Sequence, residues 1–385
     1  MKRKGLAVFA AAGIFIITAN ISPPVAAAET ADIPDNGDTA AIIENIYHSS
    51  GADRLESALP DEADELLKDI GFRGFSPGGL DDVTAEGAFT AIGRLLRSNI
   101  TEPLRVLSCL LGIVVISAAL ETVKCGGAAD NVLSLVTSLC AASVIAPPLL
   151  ELSDSLSNVI EGASGFMTLY VPVISGLIIA SGKAAEGSAY CAAMVFFSST
   201  VAQLSAKAVV PLLKCVMSLC VVSSASSVDL NGVISLFRRV ARFVLTFCMS
   251  LFVAFLTMRS IVAAAADSLS NRAAKFAIGS FVPVVGGTLS EAYQTVVGCV
   301  GLLKSGVGAA AIAAAFAIFI PAAVRCIVWQ AVSAIGSAVC GLFGVTKVSS
   351  LLDNMSAVAS VIFAVLMCVM VTYMVSTAIV IIVGG

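Results

Sequence analysis

The chain offers chemistry few side chains. Its single histidine is His48, so a Ser-His-Asp or Cys-His nucleophile would need its base from a polar segment far from the serines and cysteines of the apolar region. Gly182-Lys183 resembles the end of a phosphate-binding loop. That pattern requires a glycine five residues before its second glycine, and Leu177 stands there, while Ala184 takes the place of the Ser/Thr. The eleven cysteines, from Cys109 to Cys368, include no CxxC pair. They read as small apolar packing residues, and neither metal, cofactor nor enzymatic activity is expected. Ionisable residues inside apolar stretches say more, because a charge at the centre of a bilayer costs about 2.5–3.5 kcal/mol and turns toward other helices or water. Lys214 is such a residue. Either it joins a buried pair or faces a pore, or it snorkels to the interface; Glu151, Arg259 and Arg325 stand near the ends of apolar blocks and read as interface anchors.

The elements that carry these residues follow from composition. Of 385 residues 58% are hydrophobic and 12% charged, with a mean hydropathy of +0.98, against about 25% charged in soluble domains. A soluble globule is excluded. Residues 29–103 hold 16 Asp/Glu against 5 Lys/Arg, net −11, whereas 104–385 hold 10 acids against 14 bases, net +4. Lys2, Arg3 and Lys4 precede an apolar stretch from Gly5 to Ala19, and the small residues Ala26 and Ala28 before Glu29 are spaced as signal peptidase accepts. The reading is a signal peptide over 1–28, with an uncleaved first membrane helix as the alternative. An acidic exported region, 29–103, follows. Pro60-Asp61-Glu62 starts a short helix that Gly71 stops, and Val83 to Ile100 carries apolar residues at helical spacing. This region is too small for a large core of its own and is expected on the membrane surface or on a partner.

Residues 104–385 read as an all-α, polytopic helical membrane domain of seven to nine spans. The apolar blocks are 104–122, 131–152, 166–182, 188–206, 208–228, 243–263, 305–325, 328–346 and 356–383. Segments 153–165 and 229–242 are too polar to span and read either as helices in the interface or as connecting loops. With residue 29 outside, counting crossings puts the cluster Arg238, Arg239 and Arg242 in the cytoplasm, with Lys124 and Lys183, and Asp154 and Glu161 outside.

The least ordinary segment is Lys275 to Ala292. It is apolar enough to enter a membrane, but Pro283 and Gly286-Gly287 interrupt a helix, leaving a re-entrant loop or a kinked helix; Ser290-Glu291 then opens a new helix. The run Phe281-Val-Pro283-Val-Val-Gly286-Gly287-Thr-Leu-Ser290, flanked by Lys275 and Glu291, resembles the signature of the stage III sporulation protein AE family, and the layout is similar over nearly the whole chain. The acid at Glu291 matches an Asp frequent in that family.

The resemblance implies a non-enzymatic membrane subunit of a sporulation-specific, secretion-like channel complex between mother cell and forespore, needed for late forespore gene expression during engulfment. It implies as partners the other proteins of the stage III A operon and the forespore protein Q of stage II. The location it implies is the mother-cell membrane facing the forespore. A lipid membrane is the other partner expected, and nucleic acid is not. The alternative is a stand-alone secondary transporter, which would carry paired broken helices in an inverted repeat; one clear break is visible, at Pro283–Gly287.

Overall fold

The computed structural model describes residues 37–122, 128–225, 232–237, 239–240, 286–383 and the single positions 243, 247, 250 and 254. The chain divides into two compact units, 1–41 and 42–385. Of the first, only 37–41 are described, at the start of helix α1 (Gly37–Ser50). In the second, 3-10 turns at Ala52–Arg54 and Glu56–Ala58 lead to α2 (Asp61–Asp69), then α3 (Ala85–Thr122), α4 (Ala128–Ala180), α5 (Ala184–Leu204), a π bulge at Ser205–Val209, α6 (Val210–Ala225), α7 (Gly286–Leu342) and α8 (Thr346–Val383). Among the described residues there is no strand.

Glycine ends the helices that the sequence marks for ending. After α2, Gly71 has φ +90°, its N–H donates to the Lys68 carbonyl and that of Phe72 to the Leu67 carbonyl. This is the paired 5→2 and 6→1 bonding of a Schellman cap. Gly182 (φ +85°) closes α4 in the same way, with Lys183 donating to Ile178, and Gly344 (φ +78°) closes α7, with Val345 donating to Cys340. Gly182-Lys183 is thus a helix cap and not a phosphate cradle.

The long helices depart from the expected block pattern. Blocks 131–152 and 166–182 lie on one 53-residue helix, α4, which runs straight through 153–165. The polar residues there do not break it because Leu152, Leu156, Ile160 and Ala163 keep the helical period and are buried, while Asp154 and Glu161 take the exposed side. Segment 153–165 is therefore neither a loop nor a separate interfacial helix. Blocks 305–325 and 328–346 likewise merge into the 57-residue α7, about 85 Å long at 1.5 Å per residue. Blocks 188–206 and 208–228 are joined through the π bulge. Its cause is local: Pro211 has no N–H for the Lys207 carbonyl and its ring crowds that carbonyl, and 205–209 absorb the misfit. Instead of seven to nine short spans, four helices among the described residues are long and apolar enough to cross a membrane: Ala85–Leu120, Val132–Ala180, Val296–Leu342 and Thr346–Ala378. Block 243–263 lies almost wholly outside the described residues.

The contacts order the helices along one bundle. α7 and α8 are antiparallel: a Cβ on Gly308 would meet Ile381 at 2.7 Å, and at the other end Ser337 bonds Ser349 at 3.0 Å. α4 runs against α5–α6, with Ser175 donating to the Gly187 carbonyl and Asp154 meeting Lys214. α3 runs alongside α7, Asn99 at Arg325 and Leu107 against Val328, Val332 and Gly336. One end of the bundle, end A, therefore gathers the termini at Thr122, Ala128, Ala225, Leu342 and Thr346; the other, end B, gathers Ala180, Ala184, Val383 and the start of α7.

Some of the small residues of α7 allow close packing. Gly306 and Gly308 sit against Pro77 and Ile381, and Ala310, Ala311, Ala314 and Ala315 are buried, whereas nothing lies within 4 Å of a Cβ on Gly301.

The 42–82 region does not lie free for a membrane surface or a partner alone. It packs on α4 and α7 of its own chain. Leu55 and Leu67 are fully buried, Pro60 abuts Gly162, Pro77 abuts Gly306, and Phe72, Phe75, Phe166 and Tyr170 form a chain of ring contacts at 5.4–5.8 Å. Each such aromatic pair adds about 0.5–1.5 kcal/mol beyond its area burial.

Candidate functional site

Midway along the bundle the apolar helices are interrupted at one level by a polar waist. Arg325, in the second half of α7, donates from Nε to Asn99 Oδ1 on α3 (3.3 Å) and from Nη1 to Ser155 Oγ on α4 (3.4 Å); its Nη2 lies 3.9 Å from Glu62 Oε1 on α2. One guanidinium thus ties four helices, which its planar fork of donors suits it to do. Arg325, expected as an interface anchor, is held here by side chains of three other helices.

On the neighbouring side Lys214 Nζ meets Asp154 Oδ1 at 2.9 Å, with the side chains 43% and 58% exposed. Lys214 is paired, but on the outer surface of the bundle, which is not the buried pair expected as one alternative. Its partner was missed because 153–165 read as a separate segment. Below the pair, Ser153 is fully buried and donates to Met217 Sδ at 3.7 Å.

Further ion pairs fix the 42–82 region to α3 and to itself: Arg94 with Asp69, Arg73 with Asp82, and Lys68 Nζ with Asp64 at 2.6 Å. The bond to Asp64 raises the Lys68 pKa, and burial, followed by the carboxylates of Asp53 and Glu56, raises that of Tyr47. Lys304, 2% exposed on α7, is a second ionisable residue that block reading passed over, since it stands just before the 305–325 block.

Other expected positions fall as follows. Ala26, Ala28 and Glu29, Arg238 and Arg242, and Lys275, Phe281 and Pro283 lie outside the described residues; Arg239 is exposed. α7 begins at Gly286, so Gly286, Gly287, Ser290 and Glu291 belong to its first turns, four residues earlier than the Ser290 start expected. The segment before Gly286, where a re-entrant loop was expected, is outside the described residues. Among the described residues no group of three or more His, Cys, Asp or Glu is placed to hold a metal ion.

Long apolar helices cross-tied by charges, with a polar segment folded along their sides, are compatible with a multi-pass helical membrane protein. The stage III sporulation protein AE profile matches residues 74–384. The chain belongs to that family. It is similar to the stage III sporulation protein AE of Bacillus subtilis (strain 168), at 25% identity over 230 residues; the match covers 60% of this chain and 58% of that relative. No solved structure matches.

Proposed function

We propose that the protein is a non-enzymatic membrane subunit of a sporulation-specific channel complex that links mother cell and forespore and supports late forespore gene expression during engulfment. The observation that carries this reading is the family match over residues 74–384. The fold is consistent with a scaffold role: a waist of ion pairs and close glycine contacts favours a rigid bundle. In this reading the chain enters the membrane behind a signal peptide cut after Ala28 and sits in the mother-cell membrane around the forespore. Its partners are the other stage III A-operon proteins and the stage II protein Q.

The exposed carboxylates of Asp61, Glu62 and Glu65 on α2 give such partners an acidic face on the exported side. The test is deletion in the sporulating host together with purification of a tagged chain from sporulating membranes. The expected result is engulfment without late forespore reporter expression, and co-purification of the operon partners. Normal sporulation of the deletion strain, or substrate transport by the purified chain alone, would overturn the proposal.

A further inference from the structure

We infer that the bilayer is centred on the half of the bundle between the polar waist and end A, with one headgroup layer at the level of Asp154, Lys214 and Arg325, and that the half toward end B stands outside the hydrocarbon. This rests on the reading of the chain as a membrane subunit with an exported acidic region.

Length requires a choice. α4 has apolar stretches on both sides of the waist, and a continuous helix of 53 residues cannot turn back to place both in one membrane. At 1.5 Å per residue it is about 80 Å long, against about 30 Å of hydrocarbon. From Val132 to Leu150 on α4, and from Leu104 to Leu120 on α3, the apolar stretches measure about 25–28 Å, which fits one bilayer.

Surface chemistry makes the choice. The most apolar stretches of α3 and α4 are only 22% and 33% buried within the protein, against 72% for that of α7 and 56% for that of α8. On the end-A side of the waist the open side chains include Ile116, Val132, Val136, Leu139 and Ile335. On the end-B side one flank of α4 and α7 is occupied by protein: Pro60 on Gly162, Phe75 on Phe166 and Pro77 on Gly306. That cover presents Asp61, Glu62, Glu65 and Asp69 outward, and the first half of α3 beside it presents Arg94 and Arg97. Such a rank of charges is at home in water and costly in hydrocarbon.

The direction of the chain agrees. With the acidic region exported, end B is outside and end A is cytoplasmic, which puts Lys347 on the cytoplasmic side and Lys183 outside.

The test is photolabelling of the full chain, with its native cysteines, in phosphatidylethanolamine–phosphatidylglycerol vesicles that hold a lipid-partitioned diazirine, read by mass spectrometry of the peptides. Carbene adducts are expected on segments containing Ile116, Leu135, Val136 and Leu139, severalfold above those containing Leu169, Val195 and Phe196, which are equally open in the protein. Equal or heavier labelling of Leu169, Val195 and Phe196 overturns the inference and leaves the membrane reading intact. Absence of labelling in both halves overturns both.

Discussion

Arg325 and Lys214 are both cations in long apolar helices, yet their surroundings give them different weight. The Arg325 side chain is 30% exposed and holds groups from three other helices, so truncating it strands Asn99 and Ser155 at the waist. Lys214 and Asp154 are 43% and 58% exposed, and a solvated pair of this kind contributes about 0–1 kcal/mol. Arg325→Met is expected to destabilise the chain by about 1–3 kcal/mol, and Lys214→Met by less than about 1 kcal/mol. Thermal unfolding in one detergent compares them, and a larger loss for Lys214→Met would contradict this account. The sequence revealed that Lys214 was unusual, since depth in an apolar block is readable. Its partner was not readable: Asp154 is 60 positions away on a helix whose continuity depends on which face of 153–165 is buried.

The helix stops were legible because they have local causes. Gly71 and the Pro60 start were placed correctly, since a left-handed residue and a fixed φ act within one turn. Continuity was not legible, because polarity reads as a boundary; α4 shows that a polar stretch with buried Leu156 and Ile160 on one face stays helical. The clasp between residues 52–80 and α4 was likewise hidden, as it depends on close approach of the Pro60 ring to Gly162. A Cβ at 162 would stand 2.9 Å from Pro60 Cγ, an atom of a ring that cannot swing away. Gly162→Ala is therefore expected to loosen 52–80 from the bundle, seen as faster cleavage of that region by protease added from the exported side. Gly301→Ala, with nothing within 4 Å of its Cβ, is expected to leave cleavage unchanged and to stabilise α7 by about 0.5–1 kcal/mol. Equal cleavage of the wild type and Gly162→Ala would show that the ring contact does not hold the clasp.

At the scale of the whole molecule, merging the apolar blocks alters the count of crossings without altering the side of every loop. In the proposed reading α3, α4 and α5–α6 precede Arg239 where five blocks were counted; both numbers are odd when α5–α6, which is not one of the four long apolar helices, is counted as a crossing. In the proposed orientation Arg239 is still expected on the cytoplasmic side. Lys183 is then expected on the opposite side from the block count, because it follows the Gly182 cap of α4 at end B. A cysteine at 239, in a chain lacking native thiols, is expected to resist an impermeant maleimide in intact cells, and one at 183 to react. A reporter enzyme fused after Val383, also at end B, is expected to be active outside; activity only in the cytoplasm would reverse the orientation.

The clasp also sets a schedule for biosynthesis. Residues 52–77 leave the ribosome before their seat exists, since α4 follows them and the Gly306–Arg325 part of α7 comes later still. At about 5–20 residues per second that interval is on the order of 10–50 s. Phe75 waits for Phe166 of α4 and Pro77 for Gly306 of α7; in the proposed orientation they wait on the far side of the membrane, where a holding chaperone or a protease would meet them first.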